Sequence, residues 1–480
     1  MRALLVAALA VVGCHDKPAA RPAGPVAGSQ AAQDAAPAEA VADPWDKPAA
    51  PKPPDGPEAR QRRADAALAR VATIGPAVAK LRGLAFLHEV PTRYQQAAEF
   101  QAFVHREVTR ELPEGRSREL GIALAQLGLM TKPLDLAQVE EQAMITQAGA
   151  YYDPAAKAFF LVIAPDSELM LDTISAHELT HALQDQHFDL TRYLPSDQSL
   201  DDDAATARKF VVEGDATFVM LLYALRGVIG DAISPKLLGL LHQQIDLMAN
   251  QDVESLKAQA RGQAAALSGM GAELKQSIDA MDDIPATVLV PLLDSYMKGA
   301  RVALAAYEHG GWSGVDALYR DPPSSTEQVL HPATKLYPVR ERPHKVTLLA
   351  TADHELAGSV LGELQWKIYF DLWKTPHAAE AAEGWGGDRY AVTRRKDGRL
   401  IVRIATTWDT AEDAAQFTTA YLASLAARFP GVSTAQAAAG IARPGGGKLF
   451  VRSAGARVYI LDGADDASAL DAMVRSTRID

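Results

Sequence analysis

Apolar side chains recur at three- and four-residue spacing through Leu68, Val71, Ile74 and Val78, and again through Phe100, Phe103, Val104 and Val108. That period puts them on one face of a helix. The stretch from Pro57 to about Leu136 therefore predicts an all-helical lead-in, with His88 and His105 as surface or packing residues. Between Ala148 and Ile163 the period shortens: aromatic and β-branched residues flank Asp153-Pro154-Ala155-Ala156-Lys157, the pattern of two strands joined by a turn. Pro165-Asp166-Ser167 then supplies a stop and an N-cap. Helical spacing resumes from Leu169 to Gln186, with Ile174, His177, Glu178 and His181 along one face and Leu171, Leu179 and Ala182 opposite. Another helix is predicted from the Asp201–Asp203 run to about Ile229, carrying Phe210, Glu213, Thr217, Met220 and Ala224 on one stripe.

Ser234 to about Tyr307 is rich in Ala, Leu and Gln and predicts a helical lower half of a cleft, with the Gly-rich segment 262–271 as a loop within it. From about Val346 the pattern becomes mixed. Strands are expected at Arg389–Thr393, Leu400–Thr406, Lys448–Arg452 and Arg457–Leu461, with helices over Thr410–Arg428 and Ala467–Ser476. The turn Gly384 to Arg389 reads as the cap of a strand, and the glycines at 445–447 lack the context of a phosphate loop. The expected fold class is α+β, with a mostly helical domain over 58–345 and a small α+β domain over 346–480.

Composition changes this picture little: 480 residues, 48% apolar and 22% charged, suffice for two or three domains with a sizeable core. A net charge of -12 without a basic stripe argues against nucleic acid as a partner. The amino terminus adds more. Met1-Arg2, an apolar run from Ala3 to Val12 and Gly13-Cys14 form a charged start, a hydrophobic core too short to span a bilayer, and small residues at a cleavage point. Val11-Val12-Gly13-Cys14 resembles the lipobox of bacterial lipoproteins, which implies a signal peptide over 1–14, export, and membrane attachment in the cell envelope through a lipidated Cys14. As the only cysteine, Cys14 forms no disulfide within the chain. The Ala/Pro-rich stretch 15–57 buries too little apolar surface to fold and reads as a disordered tether.

The candidate chemistry lies in His177-Glu178-Leu179-Thr180-His181. On a helix, residues four apart lie one above the other, so both imidazoles reach one metal ion and Glu178 reaches a water beside it. Catalytic zinc takes three protein ligands, so a third donor is required. One candidate is His187, ten residues after His177, although Gln184 stands where the elongated HExxHxxGxxH pattern has its turning glycine. The other is Glu213 in Val212-Glu213-Gly214-Asp215-Ala216, whose carboxylate would enter an apolar interface and need a cation. Gly214 would let that helix approach the motif helix closely.

HExxH with a downstream glutamate on a second helix resembles the gluzincin branch of zinc metallopeptidases, and HELTHALQD resembles the matching helix of the thermolysin family. The resemblance covers Ala148 to Ile229. It implies a zincin-like domain with Zn2+ held by His177, His181 and Glu213, Glu178 as general base, and Asp185 as a structural acid. The strand just before the motif helix would form the sheet edge that pairs with an extended peptide. Two features depart from the pattern: the interval from His181 to Glu213 is longer than in thermolysin, and Thr217 stands where an acidic partner for His177 is expected, with Asp215 the nearest substitute. The chain also resembles exported bacterial HExxH proteins whose second helix carries EGDA or EGxA.

These readings converge on a lipid-anchored zinc endopeptidase acting on a peptide or protein. Glu178 would take a proton from water and pass it to the leaving amine. An oxyanion needs a further donor; His331, in Pro322 to Pro332, is the first candidate and Tyr337 the second. The rival expectation is a catalytically silent zinc-binding or scaffold lipoprotein.

Overall fold

The computed structural model describes residues 56–145, 149–162, 168–197, 199–229, 233–255, 281–434, 439–443 and 446–480, with a few single positions between them. The signal peptide, Cys14, the tether up to residue 55, the N-cap at 165–167 and the Gly-rich segment 262–271 lie outside these residues. The protein is α+β.

Helix α1 (Pro57–Arg82) starts on a proline, whose missing N–H is no loss at that position, and stops at Gly83 with φ +71°. Its Val71, Ile74 and Val78 enter the main core. Strand β1 (Thr92–Tyr94) follows, then α2 (Ala97–Glu111), capped reciprocally by Gln96 and Glu99, α3 (Glu114–Leu127) and α4 (Leu136–Ile145). The lead-in is thus not all-helical: β1 pairs in parallel with β3, placing Thr92 opposite Phe159. The predicted hairpin lies at β2 (Ala150–Asp153) and β3 (Ala158–Leu161), and the sheet order is β1-β3-β2. The edge beside the motif helix is therefore β2, and the strand that directly precedes that helix is the central one. Parallel pairing with β1 occupies its second side.

Helix α5 (Glu168–Phe188) carries the HExxH sequence and α7 (Asp202–Ile229) carries Glu213; the short α6 (Leu190–Tyr193) lies between them. The one-sided pattern expected of α5 gives way to burial all round from Leu171 to Asp185, because α1, α7 and β2 all pack on it. α8 (Pro235–Ala249) and α9 (Ala286–Arg320) complete this helical body. α9 breaks near the predicted end at Tyr307: Gly311 takes φ +60°, and a second helical half runs on to Arg320.

Gly214 faces α9, not the motif helix. A Cβ there would lie 2.1 Å from the carbonyl carbon and oxygen of Gly299, so α7 and α9 meet backbone to backbone. Gly214→Ala must push these helices apart. The expected cost is about 1–3 kcal/mol, read as a lower urea midpoint at unchanged slope.

After α10 (Thr326–Leu330), a six-stranded antiparallel sheet forms from β5 (His354–Ser359), β6 (Trp385–Arg394), β7 (Leu400–Trp408), β8 (Ile441–Ala442), β9 (Lys448–Ala454) and β10 (Arg457–Ala464), in the order β5-β6-β7-β10-β9-β8. Alternation along β7 sends Val402 and Ile404 to one face and Ile401 and Ala405 to the other. α11 (Gly362–Leu372), α12 (Ala378–Ala382) and α13 (Ala411–Arg428) cover the first face. α14 (Ala467–Ser476) and a two-stranded ribbon of β4 (Val346–Thr347) and β11 (Arg478–Ile479) lie on the second.

The cores do not divide at residue 345. Ala123 and Leu127 of α3 pack into the aromatic core beneath the sheet, beside Trp366, Tyr369, Phe417 and Tyr421. Arg428 donates to the last carbonyls of α3, those of Leu127 at 3.1 Å, Ala125 at 3.3 Å and Gln126. In return, Leu364 and Ile368 of α11 pack with Phe210 of α7 and Val302 of α9. Among the described residues no helix is long and apolar enough to cross a membrane.

Candidate metal centre

One turn of α5 separates His177 from His181, and their Nε2 atoms stand 3.0 Å apart with the rings edge to face. Glu213 enters from α7. Its Oε2 lies 3.3 Å from Nε2 of His177 and 3.5 Å from Nε2 of His181. Donors about 2.0–2.1 Å from a tetrahedral zinc ion stand about 3.3–3.4 Å from one another. The three donor atoms thus form one face of a tetrahedron of the right size, and two imidazoles with one carboxylate are a donor set that zinc accepts.

Burial and charge prepare the same ligands. Burial lowers the pKa of His177, which holds the ring neutral with a lone pair to give. Burial by itself would raise the Glu213 carboxyl, but the facing rings of His177 and His181 outweigh it and hold the group well below the usual range, as an anion. The side chain of His177 is fully buried, while those of His181 and Glu213 are 8% and 13% exposed, so any approach to the cluster comes from their side.

Glu178 is fully buried beside the cluster and accepts the backbone N–H of Tyr152 at 2.9 Å. The edge strand and the predicted base are therefore in direct contact. Asp185 accepts from the Tyr152 hydroxyl at 2.7 Å, from Lys157 Nζ at 2.8 Å and from the N–H of Leu190 at 3.2 Å, which ties the hairpin to α5 and to the start of α6. Asp215 does not reach His177. It faces Gln184 at 3.2 Å, is paired with Arg82 Nε at 2.8 Å and accepts the Tyr319 hydroxyl at 2.9 Å. Thr217 is buried on the same helix.

Other candidates lie elsewhere. His187 is half-buried and its Nε2 donates to the carbonyl of Ala85 at 2.8 Å, because α5 continues through Gln184 as helix and carries His187 away from the cluster. His331 ends α10, which Ser325 caps, and its Nε2 lies 2.7 Å from Glu363 of α11. Together they line a cleft of about 600 Å³ with Lys298, Arg301 and Lys367, and neither motif histidine nor Glu213 borders it. The Pro322–Pro332 stretch is a capped turn between α9 and α11, so the expected placement of His331 at the metal is corrected. Tyr337 stacks on His309 at 4.5 Å, near the break in α9, and is not brought to the cluster either. A second acidic group, Glu327, Glu341 and Asp409, already encloses a cation: Lys335 Nζ lies 3.0, 3.0 and 2.5 Å from them.

Several neighbours of the cluster escaped the sequence reading. Tyr296 of α9 is fully buried with its ring 5.7 Å from that of His177. Arg82 and Tyr319 are too distant in sequence for any spacing to point to them. Gln184 carried a local signal, since it follows His181 by three residues on the same helical face.

A family model described as a domain of unknown function (DUF8575) matches residues 349–474, the C-terminal sheet and its helices and about a quarter of the chain. No curated protein and no solved structure matches the chain.

Proposed function

We propose that this protein is a zinc-dependent endopeptidase of gluzincin type, exported and held in the cell envelope through a lipidated Cys14. The observation that carries this reading is the tetrahedral spacing of the His177, His181 and Glu213 donor atoms, 3.0 to 3.5 Å, beside a buried glutamate. These three residues would hold the zinc, which when bound supplies a Lewis acid and an acidified water. Glu178 would take a proton from the attacking water and deliver it to the leaving amine nitrogen, shielded from bulk solvent by its burial. β2 is the sheet edge next to Glu178, and an extended peptide would pair with backbone groups of this edge other than the Tyr152 N–H, which Glu178 holds.

The test is zinc content by elemental analysis of the full chain, with chelator-sensitive cleavage of an unfolded protein measured in parallel. The wild type is expected to hold one zinc per chain, to lose it in Glu213→Ala and to keep it in His187→Ala. Retention of zinc in Glu213→Ala would sink the ligand set. Zinc without cleavage would favour the silent zinc-binding lipoprotein, a reading consistent with the small exposure of the ligands.

A further inference from the structure

Gln184 follows His181 by one turn of α5 and is fully buried. The two ends of its amide meet different surroundings. Nε2 lies 3.0 Å from the carbonyl oxygen of Val212 and 3.2 Å from Oδ2 of Asp215, groups that accept hydrogen bonds and have no hydrogen to give. Asp215 is kept an acceptor by Arg82, whose Nε lies 2.8 Å away, and by the hydroxyl of Tyr319, which donates at 2.9 Å. Turning the amide over would set its oxygen against a carbonyl and a carboxylate, losing both bonds at a fully buried position. The oxygen must therefore face His181.

It does so at 2.8 Å from Nδ1. An amide oxygen only accepts, so Nδ1 carries the hydrogen, and Nε2 keeps its lone pair for the space it shares with Nε2 of His177 and Oε2 of Glu213. By contrast, Nδ1 of His177 is buried without a hydrogen-bond partner among the described residues. Control of the tautomer therefore falls on one of the two motif histidines. It reaches that histidine from α1 and α9 through Asp215 of the neighbouring helix.

We infer that Gln184 is a positioning residue for the metal, locking His181 in the Nδ1–H tautomer through the chain Arg82, Asp215, Gln184. This rests on the zinc reading of the cluster. The informative variant is Gln184→Met, which keeps length and volume but replaces the amide by a weak thioether acceptor. Leu183→Ala, also fully buried on α5, serves as a control for packing loss alone.

Two measurements on the full chain decide the matter. In zinc-free protein at alkaline pH, long-range 15N–1H spectra are expected to show His181 of the wild type as Nδ1–H and His181 of Gln184→Met as mixed tautomers. In competition with a chromophoric chelator, zinc is expected to bind about 10–100-fold more weakly to Gln184→Met, and as tightly to Leu183→Ala as to the wild type. An Nε2–H tautomer in the wild type overturns the inference, as does a Gln184→Met protein with unaltered tautomer and affinity. If the wild type binds no zinc, the metal reading falls and with it the purpose given to Gln184. The tautomer spectra, needing no metal, still report whether the amide holds the ring, so the two failures are told apart.

Discussion

Replacing Glu178 with glutamine is expected to lower peptide hydrolysis by about 10²–10⁴-fold, the usual contribution of a general base, while leaving zinc content unchanged. The substitution is informative because of what it spares. Glu178 accepts the N–H of Tyr152 at 2.9 Å, and a glutamine oxygen accepts it equally well. The β2 edge therefore stays docked, and glutamine loses only the ability to take a proton. Alanine at this position would also orphan the buried N–H of Tyr152, mixing a structural penalty into the rate. The measurement is kcat on an unfolded protein substrate alongside elemental zinc. An active Glu178→Gln enzyme would remove the base from the mechanism, and a variant that loses zinc would show that Glu178 supports the ligands instead.

Arg82→Met is expected to destabilise the fold by about 3–5 kcal/mol, the range for removing one partner of a buried ion pair. The Arg82 and Asp215 side chains are both fully buried, and Arg82 also donates to Asp316 at 2.8 Å. Without the guanidinium, Asp215 is left charged in the interior beside Gln184. The urea midpoint of Arg82→Met should fall accordingly. In the double variant Arg82→Met with Asp215→Asn most of the loss should return, because no uncompensated charge remains. A single variant as stable as the wild type, or a double variant no better than the single, would refute this account.

The parts of the fold legible in the sequence were those with a sustained period. α5 and α7 run through twenty or more residues of helical spacing, and the hairpin before them is bounded by a turn of fixed chemistry. β6, β7, β9 and β10 lie where alternation placed them. β1 was not legible because three residues carry no period, and its existence depends on β3, more than sixty residues away. α11 escaped because two of its sides are buried, one in the aromatic core and one against α7 and α9, which leaves only the narrow polar row of Glu363, Lys367 and Asp371 along the cleft to mark it. His177, His181 and Glu213 stood out because a fixed i, i+4 spacing and a carboxylate on an apolar stripe are local signals. The partners that hold them are tertiary accidents of which helices cross, and His331 was misplaced for the same reason: its neighbour Glu363 belongs to a helix that the pattern did not reveal.

The packing of α3 beneath the C-terminal sheet sets an order of events during synthesis. From Leu127 to Ala464, the end of β10, about 330 residues must be made; at roughly 5–20 residues per second this takes on the order of 15–70 s. Until then the apolar side of α3 has no lasting cover, and the aromatic core that will receive it does not exist. Contacts of such long sequence separation form late. The last strands of the chain therefore finish the burial of one of its first helices.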